Sequence, residues 1–176
     1  MEPEREQPER HAEQETFVVV SGGQTGVDRA ALDAAMELGL PHDGWCPRGR
    51  RAEDGRLASR YLLRETDSPR YDVRTRQNVL DSDATLVLFR GTLSGGTELT
   101  YRLALREGRP CLAVDLGLQA EPSPDPASTR EWLRRLKIRR LNVAGPRESQ
   151  RPGIYGQAKA YLLALLEVSL VRRPLP

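Results

Sequence analysis

The sequence predicts an α/β fold, a mostly parallel sheet with helices on both faces. Short apolar runs alternate along the chain with helical patterns. A glycine-bearing loop follows the apolar run at three places: after "FVVV", after "ATLVLF" and after "RLNVA". A strand buried on both faces reads as a near-continuous apolar run, whereas a helix packed on one side repeats its apolar positions every three or four residues. Alternation of the two is the mark of strand–helix–strand crossovers. Right-handed crossovers then bring the three loops to one edge, the carboxyl ends of the strands, where doubly wound, Rossmann-like sheets bind ligands.

Taken in order, Thr16 to Val20 form the first strand, and the stripe Val27, Ala30, Ala31, Ala34, Ala35 and Leu38 predicts a helix ending at Gly39. Thr25 is placed to cap that helix, with Asp28 three residues on as in a capping box. "HDGWCPRGRRAEDGR" is loop-rich, with a short strand ending near Cys46, and a polar helix covers Tyr71 to Leu80. The strand "ATLVLF", the loop "RGTLSGG" and the helix "TELTYRLALREG" follow, the last stopped by Gly108 before the strand "CLAVDL". "LQAEPSPDPAST" carries three prolines and reads as a surface connection. A short amphipathic helix, "REWLRRLKI", precedes the third strand and loop, "RLNVAGPRES". The final helix runs from about Pro152 to Leu170, with Ile154, Ala158, Tyr161, Leu162, Leu165 and Leu166 on one face. The expected organisation is one ligand-binding domain over 16–170, between a disordered charged tail over 1–15 and a C-terminal tail over 171–176.

Composition narrows the function classes. The chain has 176 residues, with 27 basic and 25 acidic side chains and a net charge of +2. That balance argues against nucleic acid or an anionic membrane as the partner. No stretch approaches the ~20 apolar residues of a membrane span, and the charged start lacks a signal core, so the expected location is cytoplasmic. Two cysteines, Cys46 and Cys111, make neither a disulfide framework nor a metal cluster, so no zinc or iron site is expected. Cys111 lies in an apolar run, the usual setting of an inert thiol. Lys137 and Lys159 are the only lysines. Arginine suits bidentate capture of phosphate or carboxylate, and it equally serves as an ordinary solvated charge. Leucine-rich helical faces around Leu136 and Leu166 can bury against the sheet or against another copy.

The loops carry the chemistry. In "SGGQTG", Gly22, Gly23 and Gly26 allow close backbone approach, and amides at the start of the following helix favour an anion. The alternative is a tight strand-to-helix turn in which glycine serves packing alone. Ser94, Gly95, Gly96 and Thr97 offer the same chemistry again, and Glu98 lies in the first turn after them. "GPRES" adds Arg147 to a third strand end. "CPRGRR" supplies Arg48, Arg50 and Arg51, which reach the cleft if the short strand before them joins the sheet and are otherwise a solvated basic loop. Asp115 either accepts a hydrogen bond from a ligand or caps a turn. Catalytic signals are thin: His11 lies in the tail and His42 in a loop, and no nucleophile–base pair or metal triad stands out. The residues describe a binder of a small anionic ligand more clearly than a catalyst.

Four motifs in order, "SGGQTGVDRAALDAA", "GWCPRGRRAEDG", "LSGGTELT" and "LNVAGPRES…PGIY", give the chain a resemblance to the molybdenum cofactor carrier protein family. That family belongs to a Rossmann-like superfamily shared with DNA-processing and lonely-guy (lysine-decarboxylase-like) proteins. The resemblance covers roughly Phe17 to Leu166. It implies a homo-oligomer, dimer or tetramer, that holds molybdenum cofactor (molybdopterin, a phosphorylated pterin dithiolene with an oxyanionic molybdenum centre) in transit or storage. Carried over by motif, the cofactor-binding candidates are Ser21, Gly22, Gly23, Gln24, Thr25, Gly26, Arg48, Arg51, Ser94, Gly95, Gly96, Thr97 and Arg147. The hydrolase relatives place a catalytic glutamate three residues past a glycine–threonine pair, where this chain has Thr100. Glu98 is out of that register, on another face of the helix. No catalytic residue is therefore assigned. A nucleotide-binding sensor, or a phosphoribohydrolase-like enzyme using Glu98, stands as the alternative.

Overall fold

A computed structural model describes residues 16–117 and 124–171, with side chains through 167. The tails expected over 1–15 and, apart from Val171, over 171–176, and the first part of the proline-rich connection (118–123), lie outside the described residues. Five strands form the main sheet: β1 (Val18–Val20), β2 (His42–Asp43), β7 (Ala84–Phe89), β8 (Cys111–Asp115) and β9 (Arg140–Ala144). Their order is β2-β1-β9-β7-β8, and every pairing is parallel. The α/β, doubly wound, Rossmann-like reading of the sequence is the observed architecture.

The helices are α1 (Val27–Glu37), α2 (Tyr71–Leu80), α3 (Gly95–Arg106), α4 (Pro126–Arg135) and α5 (Ile154–Val171). α1 and α4 both pack on α5, while α2 packs on α3, so the two groups cover opposite faces. On the first face, Ala30, Ala31, Ala34 and Ala35 of α1 meet Ile154, Ala158, Leu162, Leu165 and Leu166 of α5 above Val19, Leu141 and Val143. Alanine is short enough to let the two backbones approach closely. Val171 closes α5, although the sequence reading put it in the tail. α4 starts at Pro126, earlier than the motif "REWLRRLKI" places it, because Asp125 caps it by accepting from Ser128 N at 2.7 Å and Pro126 supplies a preset first turn.

The expected short strand near Cys46 is two strands. β2 joins the main sheet beside β1, whereas β3 (Trp45–Cys46) leaves it and pairs with β6 (Arg64–Glu65). Gly44 makes the break: at φ 142 it lies so close that a Cβ would stand 2.1 Å from Ser21 O. Asn78 of α2 then grips Trp45 like a neighbouring strand, accepting from its N at 2.7 Å and donating to its O at 3.0 Å. A hairpin of β4 (Arg51–Ala52) and β5 (Gly55–Arg56) turns through Glu53 and Asp54. Beneath this excursion Leu32, Cys46, Leu57, Tyr61 and Leu63 form a second, smaller core against α1. Its effect is to carry the hairpin over the carboxyl edge of the sheet.

Candidate functional site

The chain leaves β1 toward one face of the sheet and β7 toward the other, which opens a crevice between β9 and β7 at their carboxyl ends. The loops there interlock. Gly145 sits where a Cβ would be 2.2 Å from Leu88 O and 2.5 Å from Val27 Cγ2, and Gly26 where one would be 2.3 Å from Pro146 O. Arg90, just past β7, donates to Pro152 O at 3.0 Å and to Gln157 Oε1 at 3.1 Å, tying the β7 loop to the start of α5. Asp115 at the end of β8 accepts from Gly91 N and Gly117 N, the turn-holding role of its two readings.

The opening loop is filled largely by the protein itself. Ser21 is fully buried and its Oγ donates toward the carbonyls of Asp28 and Val143. Gly22 lies beneath Arg74 of α2, whose Nη1 would be 1.7 Å from a Cβ there, and Gly23 beneath Leu57 and Leu63. Val27 N, the first amide of α1, donates to Pro146 O. The capping box does not form: the N-cap is Gly26, without a side-chain bond. Thr25 instead donates from Oγ1 to the Glu53 carboxylate and accepts from Glu148 N at 3.3 Å. Asp28 turns back to Gln24 N and pairs with Arg74 at 3.0 Å. Burial pushes the Asp28 carboxyl up, against the pull of the Arg74 charge. At Gly23 and Gly26 a positive φ of 76 and 75 favours glycine, with backbone close on Gly26, and at Gly22 the Arg74 guanidinium takes the space, so the protein itself accounts for all three.

The second loop is different. Ser94, Gly95 and Gly96 are exposed, and among the described residues nothing lies within 4 Å of a Cβ built at either glycine. Gly95 has φ 55, the left-handed region. Ser94 is the N-cap of the 12-residue α3 but makes no side-chain cap bond, so the helix start presents its amides outward. Thr97 is buried in the first turn. Glu98 points along the helix to Arg102 at 2.6 Å, an exposed i,i+4 pair. The third loop supplies Arg147, whose guanidinium stacks over Tyr71 at 4.7 Å and makes no hydrogen bond or ion pair among the described residues.

The basic loop divides. Arg48 and Arg51 are exposed, with side chains that make no hydrogen bond or ion pair among the described residues. Arg50, at φ 54, folds inward and donates to the carbonyls of Leu57, Ala58, Tyr61 and Leu63. It holds the loop and is committed to doing so. Three further residues at this edge are absent from the sequence-based candidates: Arg74, Ser149 and Glu53. Glu53 accepts from Thr25 Oγ1, from Ser149 N at 3.2 Å and from Ser149 Oγ at 2.5 Å. The "EDG" turn signal marks a hairpin tip; only the fold shows where that tip lands.

Two concavities flank this edge or lie away from it. One, of about 310 Å³, opens beside Thr25, Gly26 and Glu148 and is lined by Arg29, Asp33, Asp54, Arg60, Tyr61 and Tyr155. Its centre is Asp33, which accepts from the Tyr61 and Tyr155 hydroxyls at 2.9 and 2.8 Å; burial first, then these contacts with Asp33, push the Tyr155 phenol up to about 12. The larger, about 580 Å³, lies at the opposite, amino edge among Asp83, Arg109, Lys137 and Arg140. Cys111 is half-buried, and burial pushes its thiol up to about 12, an unreactive setting. Among the described residues no group of three or more His, Cys, Asp or Glu is arranged to hold a metal ion, and no helix is long and apolar enough to cross a membrane.

The model of the circularly permutated YpsA SLOG family matches residues 19–166. The strand order fits that description: counted from β7 and run on through β1, it reads 2-1-3-4-5, the order of the flavodoxin-like sheet. A search of curated proteins finds no match. Among solved structures, the crystal structure of a protein from Syntrophus aciditrophicus SB, named "Putative molybdenum carrier protein", is 41% identical. It superposes with a TM-score of 0.77, over 88% of this chain and 95% of that one. The chain thus belongs to the circularly permutated YpsA SLOG family.

Proposed function

We propose that the protein binds and carries, or stores, molybdenum cofactor, gripping its anionic parts with the loops at the carboxyl edge of the sheet. The observation that carries this reading is the contrast between two glycine pairs. Gly22 and Gly23 are covered by the protein's own side chains, whereas Gly95 and Gly96 face open space among the described residues at the start of a helix. Glycine there leaves room for something outside the chain to reach the amides, and a helix start favours an anion. Arg147, stacked on Tyr71, adds a cation at the next strand end, whereas Arg48 and Arg51, whose preceding strand β3 leaves the main sheet, are exposed cations of the candidate set. This donor set suits a phosphate or an oxyanionic metal centre; a pterin cofactor brings its own dithiolene ligands for molybdenum. The Syntrophus relative's name points the same way.

The roles are divided as follows. Ser94, Gly95, Gly96 and Thr97 cradle the anion; Arg147 neutralises it; the buried Ser21–Gly26 loop supports the edge. Glu98, paired with Arg102, is not held toward the crevice as a general acid, so turnover is not part of the proposal. The protein acts as a cytoplasmic homo-oligomer on this reading.

The test is to purify the full chain from a host that makes molybdenum cofactor, denature it, and identify the released small molecules by mass spectrometry and metal analysis. Pterin with stoichiometric molybdenum supports the carrier. Nucleotide without metal overturns it in favour of a nucleotide sensor.

A further inference from the structure

The Glu53 carboxylate occupies a position that an oxyanion would take. Its oxygens receive the Thr25 hydroxyl, the Ser149 amide at 3.2 Å and the Ser149 hydroxyl at 2.5 Å, and the Arg147 charge acts on it as well. An amide and two hydroxyls, contributed by two loops at the carboxyl ends of β1 and β9 with the Arg147 charge nearby, are donors of the kind that hold phosphate and similar tetrahedral anions. We infer that this is a second oxyanion cradle, occupied by the protein's own Glu53, which must withdraw before an anion from solution can enter. The inference rests on the reading of this edge as an anion site and adds its regulation.

Three observations single out Glu53 as an occupant in addition to being a clasp. The hairpin tip is already anchored without that carboxylate: Asp54, the other tip residue, forms a two-pronged pair with Arg29 at 3.0 and 3.1 Å, and Glu53 N donates to Gln24 Oε1 at 2.8 Å. Glu53 itself is exposed, on a two-residue turn, so its side chain can rotate away while the backbone anchors stay in place. Beside the cradle, Gln24 is 4% exposed; its Oε1 holds Thr25 N and Glu53 N, while its Nε2 has no hydrogen-bond partner among the described residues. A buried donor without an acceptor is a deficit that an incoming oxygen can relieve.

The chemistry fits either the phosphate of a phosphorylated ligand or a free metal oxyanion, and the two are separable. Inorganic phosphate and molybdate are titrated separately into the full chain, wild type and Glu53→Gln, while the amide resonances of Thr25, Ser149, Gly95 and Gly96 are followed by NMR. The variant is expected to bind one of them at least about tenfold more tightly at Ser149, since a competing like charge has been removed. In the wild type the Ser149 amide should move only together with the 51–56 hairpin. Asp54→Asn, which keeps Glu53 but loosens its hairpin, should give a smaller gain of about threefold, so the idea remains testable if Glu53→Gln folds poorly. Preference for phosphate assigns the cradle to the phosphorylated end of a ligand, and preference for molybdate to an oxyanionic centre. If Gly95 and Gly96 respond while Ser149 stays still in every protein, the edge binds anions but Glu53 is only a clasp, and the inference fails. If no amide responds, both this inference and the anion reading fail.

Discussion

Arg74 Nη1 lies 3.0 Å from the buried Asp28 carboxylate, 46 residues earlier in the chain, and its guanidinium fills the space above Gly22. One contact therefore fastens α2 to the opening loop from across the sheet edge. Removing one member of a buried pair strands the other charge, at a cost of about 3–5 kcal/mol. Arg74→Met should lose that much in urea denaturation. Gly22→Ala should lose a similar amount, because a methyl group there expels Arg74. A loss below about 1 kcal/mol for both would show that the pair does not hold the loop.

The two neighbouring arginines Arg48 and Arg50 should behave oppositely. Arg50 serves four carbonyls of the 57–63 segment, so Arg50→Ala should cost about 2–3 kcal/mol. Arg48→Ala should stay within about 0.5 kcal/mol of the parent, measured by the same denaturation. Equal losses would contradict the division of the loop into a structural and an exposed cation.

Gly95 and Gly96 separate binding from packing. Gly96→Ala meets no neighbour and should leave stability unchanged or raise it by up to about 1 kcal/mol. Gly95→Ala should cost about 1–2 kcal/mol for its left-handed backbone. Both should lower the amount of small molecule that co-purifies, read by mass spectrometry after denaturation. Undiminished co-purification with both alanines in place would remove the second loop from the site.

The hairpin clasp should respond to acid. Burial raises the Glu53 carboxyl, but the Ser149 and Thr25 hydroxyls, the Ser149 amide and the Arg147 charge outweigh it and hold the group below its ordinary 4.5. A lowered carboxyl contributes stability that is complete above the unfolded value and lost as pH falls through the folded one. Hydrogen exchange over 51–56 should therefore quicken below about pH 4.5 while β7 and β9 stay protected, and Glu53→Gln should leave only the step at lower pH that comes from Asp54, whose carboxyl its pair with Arg29 also lowers. A hairpin that opens only when the sheet unfolds would refute it.

Much of this was readable in advance, and the exceptions share a cause. "ATLVLF" is apolar along its whole length, so β7 could be placed from the sequence, and α2 over Tyr71–Leu80 likewise. The strands of the 42–66 excursion are two residues each, too short for a period to show. Their pairing depends on Gly44 and on Asn78, far off in the chain. Thr25 looked like a cap because capping is local; it is drawn away by Glu53, 28 residues on, through a contact no local pattern encodes. The same holds for Arg50, whose guanidinium is drawn inward by carbonyls 7 to 13 residues on. Glycines at strand ends were visible as a class. Which of them serve packing and which face solvent required their neighbours.

The central place of β9 has a consequence for how the protein is made. β9 lies between β1 and β7, and its residue Val143 accepts from Ser21, 122 positions earlier. Until the ribosome has delivered residue 144, β1 and β7 have no partner between them, and each shows an open edge to whatever is near. Such edges recruit other chains. Nascent chains stalled or cut before Arg140 should thus be the ones that chaperones capture. β9 alone joins the β2-β1 half of the sheet to the β7-β8 half.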